Sequence, residues 1–127
     1  FCLSRGLGDV YKRQAQTVIQ KWQLEAKQYA SNKTLLEAAK ALILPEEAST
    51  YNRAIEVAKK IRKGQPGFEI AQTSINQWSE KILNLAKIRA TQGDFKDAVA
   101  TATLVPEVTI AYEDAQDAIQ KWQLQRN

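Results

Sequence analysis

One short phrase occurs three times in this 127-residue chain. Ala15-Gln16-x-x-Ile19-x-x-Trp22 returns as Ala71-Gln72-x-x-Ile75-x-x-Trp78 and again as Ala115-Gln116-x-x-Ile119-x-x-Trp122. The first and third copies share Ile-Gln-Lys-Trp-Gln-Leu at 19–24 and 119–124, and the three tryptophans of the chain all lie in the phrase. Its apolar residues are separated by four and then three positions, which places them on one face of a helix. A sequence that repeats in this way builds its core by stacking like units, each covering a face that its neighbour leaves open.

The repeat extends beyond the phrase. Tyr51, Ala54, Ile55, Ala58 and Ile61 align with Phe95, Ala98, Val99, Ala102 and Val105, and each aromatic stands 20 residues before the next Ala-Gln. Small alanines at 54, 58, 98 and 102 allow close helix approach. Helix breakers fall at only a few places: Pro45, Gly64-Gln65-Pro66-Gly67, Gly93 and Pro106. Between them Leu35, Leu36, Ala39, Leu42 and Ile43 step at helical spacing, as do Ile75, Trp78, Ile82, Leu85 and Ile88 or Arg89. Helices are predicted over 15–30, 33–43, 47–63, 69–91, 95–104 and 109–125. Gly93 suits the position after a helix end and Asp94 the N-cap of the next helix. Thr34-x-x-Glu37 has the form of a capping box. Trp22 to Tyr51 spans 29 residues but Trp78 to Phe95 only 17, so the first unit carries 12 extra residues, read as an added helix around 35–43. The expected fold is all-α: antiparallel helix hairpins stacked as a short α-solenoid of about six helices.

Residues 1–14 stand apart. They show no helical periodicity and closely resemble a peptide translated from sequencing-adapter DNA. The repeat points to the same boundary. Copies two and three carry Phe68 and Tyr112 three residues before Ala-Gln, where copy one has Lys12. Residues 1–14 are therefore set aside as a non-native, disordered segment, and 15–127 as a helical-repeat domain from a longer protein. Residues 15–127 then hold no Cys, His or Met, with 15 basic and 13 acidic side chains.

This inventory narrows the chemistry. The imidazole and thiolate ligands of common transition-metal sites are missing, as are a His base and a Cys nucleophile. The glycines form no phosphate-binding loop, and Ala38–Leu44 is far short of a membrane span. No catalytic, cofactor-binding or metal residue is assigned, no cofactor is expected, and the reading is non-enzymatic. Glu46-Glu47 and Glu113-Asp114-x-x-Asp117 fit the first turns of helices, where negative charge is favourable. Lack of cysteine after residue 14 fits a reducing compartment and favours the cytoplasm.

Gln92-Gly93-Asp94-Phe95-Lys96-Asp97-Ala98-Val99-x-x-Ala102, followed by Pro106, resembles the turn and second helix of a tetratricopeptide repeat. The tryptophans recur at 56 and 44 residues, instead of the ~34 of that repeat. Segment 15–127 more closely resembles the Ala-Gln-x-x-Ile-x-x-Trp helical repeats of cyanobacterial proteins, loosely described as tetratricopeptide-like or chromosome-segregation-ATPase-like. The resemblance implies a helical-repeat architecture and is nearly silent on activity.

The phrase residues Ile19, Trp22, Ala71, Gln72, Ile75, Trp78, Ala115, Gln116, Ile119 and Trp122 are expected to pack or bond between helices. Lys59, Lys60, Arg62 and Lys63 form the densest charge cluster, in a stretch, 51–90, of net charge +5, whereas 91–127 is −3. The function expected is a protein–protein interaction scaffold with a protein or peptide partner. The alternative is electrostatic binding of nucleic acid or an anionic surface through 51–90.

Overall fold

The computed structural model describes the backbone of residues 2–126 and the side chains of 10–125. The described residues form five helices: α1 (Cys2–Ala41), α2 (Ala48–Ala58), α3 (Phe68–Thr91), α4 (Phe95–Ala102) and α5 (Tyr112–Arg126). The class is all-α, with five helices instead of six. Each helix packs on the next in chain order, and α3 also touches α5.

The missing boundary lies inside α1, which runs unbroken through the gap expected at 31–32. Two side chains explain this. The Thr34 hydroxyl, expected to cap a new helix, donates to the Ala30 carbonyl at 3.0 Å, the back-bond of a helix interior. Asn32, buried, has its amide oxygen bonded by Gln28 one turn earlier, while its own amide donates to the Pro66 carbonyl at 2.8 Å. The capping-box reading is therefore corrected. The 12 extra residues form no added helix: half of them lengthen α1, and the rest lie in the 42–47 connection and in the first turn of α2. Helix also extends through 2–14, where disorder was expected.

The α3–α4 turn follows the sequence closely. Gly93, at φ +85°, closes α3 with bonds from Gly93 N–H to the Ala90 carbonyl and from Asp94 N–H to the Arg89 carbonyl. Asp94 then caps α4, its carboxylate accepting from Asp97 N–H at 3.2 Å. Helix α2 ends earlier than expected, at Ala58. The chain leaves it through turns that bury Ile61, and Gln65 accepts from Arg62 N–H at 3.0 Å.

Two apolar clusters hold the helices together. The larger joins Leu36 and Ala39 of α1 to Tyr51, Ala54, Ile55 and Ala58 of α2, to Ala71, Ile75, Trp78 and Ile82 of α3, and to Ala115 of α5. The smaller joins Ala86 of α3, Ala98 and Ala102 of α4, and Ile119 and Trp122 of α5. Arg89 clips α4 to α3: its guanidinium contacts the Asp97 carboxylate at 3.2 Å and hydrogen-bonds the Thr101 hydroxyl. This settles the open position of the stripe, since Ile88 faces solvent.

Candidate interaction surface

The three copies of the phrase meet different surroundings. In α3, Ala71 is fully buried, Ile75 is 1% exposed and Trp78 8%. In α5, Ala115 is fully buried, Ile119 is 8% exposed and Trp122 7%. In α1, by contrast, Ile19 is 47% exposed and Trp22 63%. The expectation that Ile19 and Trp22 pack between helices is thus overturned.

Geometry supplies the reason. Six of the 12 added residues lie in α1, between the phrase and the part that pairs with α2. In a continuous helix they carry the phrase about 9 Å further along the axis and turn its face by roughly two thirds of a revolution. Helix α3 lies on α2 and α5 on α4, so each buried phrase covers the second helix of the unit before it. The first phrase reaches past both units.

Around Trp22, α1 presents an apolar stripe. Val18, Trp22 and Tyr29 follow one another at helical spacing, with Ile19 at the edge, and all four are exposed. The same face continues past Tyr29 to Leu36, which is buried against the core. There it enters a groove of about 190 Å³ between α1 and the start of α3, whose walls include Tyr29, Leu36, Ile61 and Ile70, together with Lys33, Glu37 and Lys40. Exposed large apolar residues are unremarkable singly; here several share one face of one helix. Lys21 and Lys33 flank the row against Glu25 and Glu37, so its border is mixed in charge, and Lys27 lies on the opposite side of the helix.

The other candidates are separate from it. Gln72 and Gln116 are half-buried, while Asn32, Asn52 and Asn76 make the bonds between distant segments. Those asparagines were missed in the sequence; their signal was the 44-residue interval from Asn32 to Asn76, the same as that from Trp78 to Trp122. Lys59, Lys60, Arg62 and Lys63 are exposed where α2 runs into its following turn, and the Lys59 ammonium lies 3.3 Å from the Glu56 carboxylate. Among the described residues, no helix is long and apolar enough to cross a membrane.

No family model matches the chain, and neither does any curated protein or solved structure.

Proposed function

We propose that the chain is a helical-repeat interaction module whose binding surface is the exposed stripe of α1. One observation carries this reading: the chain buries the phrase twice and presents it to solvent once, in a row with Val18 and Tyr29. Burial of this many aromatic and branched side chains is a strong source of association free energy, and tryptophan at the centre of a patch is the usual anchor of a binding hot spot. The nucleic-acid alternative gains no second observation, because one of its four cations is already engaged by Glu56.

The test is photo-crosslinking in an extract of the source cells, with the reactive side chain at residue 18 or, as a control, at exposed residue 100. The module predicts a defined protein adduct from residue 18 that Trp22→Lys abolishes. Equal labelling from both positions would overturn the reading.

A further inference from the structure

We infer that the occupant of the α1 stripe is a helical hairpin of this chain's own pattern, one whose second helix presents aromatic-x-x-Ala-Ile/Val-x-x-Ala. The inference rests on the interaction-module reading and names the partner of that surface.

The chain itself shows what the phrase takes. Ala71, Ile75 and Trp78 share a cluster with Tyr51, Ala54, Ile55 and Ala58 of α2. Ile119 and Trp122 share one with Ala98 and Ala102 of α4, and Phe95 packs against it. The two receiving helices have the same sequence pattern. Alanines let the backbones approach closely, and the aromatic fills the space beside the tryptophan, so one face fits the other by shape. The first phrase has the same Ala, Ile and Trp at the same spacing, and its face is continuous through Leu36 with the α1–α2 interface.

The chain's own hairpins cannot fill this place, because α3 covers one and α5 the other. A second α1 is disfavoured as well, because it offers another copy of the phrase and not the aromatic and alanine face on which both buried copies pack. The partner is thus a further unit of the repeat, which adds to the stack at the α1 end.

The test joins a duplicate of residues 68–111 directly to Lys12 of the chain. The 44-residue period gives Lys12 the place of Tyr112, so the added hairpin stands before the first phrase as α3–α4 stands before the third. The contribution of Trp22 is read as the difference between this fusion and its Trp22→Phe form. Acrylamide quenching of Trp22 is expected to fall to that of buried Trp122, with emission shifting to the blue. Trp22→Ala should lower the melting temperature of the fusion while leaving that of the parent unchanged. Unchanged quenching of Trp22 in the fusion would overturn the inference. So would concentration-dependent protection of Trp22 in the parent alone, which identifies a second copy as the occupant. If Trp22 stays exposed in the fusion while the residue-18 adduct still depends on it, the hairpin fails and the interaction module stands.

Discussion

Asn32 donates from Nδ2 to the Pro66 carbonyl at 2.8 Å and so fastens α1 to the connection that leads into α3. Asn76 takes up the matching station in the next unit, its amide oxygen accepting from Ile110 N–H at 3.2 Å, and both bonds span 34 residues. The two helices thus hold their following connections through the same residue type at the same separation. The amide role differs, as donor in one and acceptor in the other.

Asn32→Ala should therefore destabilise the fold. Asn32 is 2% exposed, so the Pro66 carbonyl loses a partner that buried surroundings do not replace. The expected loss is about 1–3 kcal/mol. Urea unfolding followed by circular dichroism measures it, and a change within experimental error would show that water takes over the bond.

The tryptophans should separate in the same experiment. Trp78→Ala and Trp122→Ala remove large buried side chains from the two clusters, at a cost of about 3–5 kcal/mol each. Trp22→Ala removes an exposed one and should change stability by no more than about 0.5 kcal/mol. Three equal losses would contradict the exposure of Trp22.

Helix α1 gives a dynamic prediction. From residue 10 to residue 27 every side chain is exposed, so this part of the helix lacks the tertiary packing that supplies most helical stability in proteins. Its amides should exchange hydrogen far faster than those of α3 between Ser74 and Ala86. Hydrogen exchange resolved by peptide measures the contrast. Binding of the proposed hairpin should slow the α1 amides selectively.

The difference between what the residues foretold and what formed can be located. The α3–α4 turn was readable because Gly93 and Asp94 each have one dominant local use, the left-handed C′ position and the N-cap. The matched aromatic–alanine segments were readable because their spacing alone places them on one face. Continuity of α1 was not readable, because Thr34 and Asn32 serve equally in a cap and inside a helix, and the choice depends on Pro66, distant in sequence. Exposure of Trp22 was hidden for a related reason. The phrase is the same in all three copies, and what lies beside it follows from the length of helix between the phrase and its hairpin.

Ser31→Pro tests that length directly. In a continuous helix, residue 31 donates its N–H to residue 27, and proline both removes that donor and clashes with the preceding turn, at a cost of about 3 kcal/mol. Were 15–30 and 33–43 separate helices, residue 31 would lie in the link and proline would be accepted at little cost. Because α1 is unbroken there, the variant should lose helical ellipticity. The loss should come from the exposed half of α1, which cannot remain helical without its packed half. The core built on Leu36 and Ala39 lies past the break, so near-ultraviolet signals from Trp78 and Trp122 should persist. Retention of full ellipticity in Ser31→Pro would restore the two-helix reading. It would also remove the geometric reason for the displacement of Trp22 from the stack.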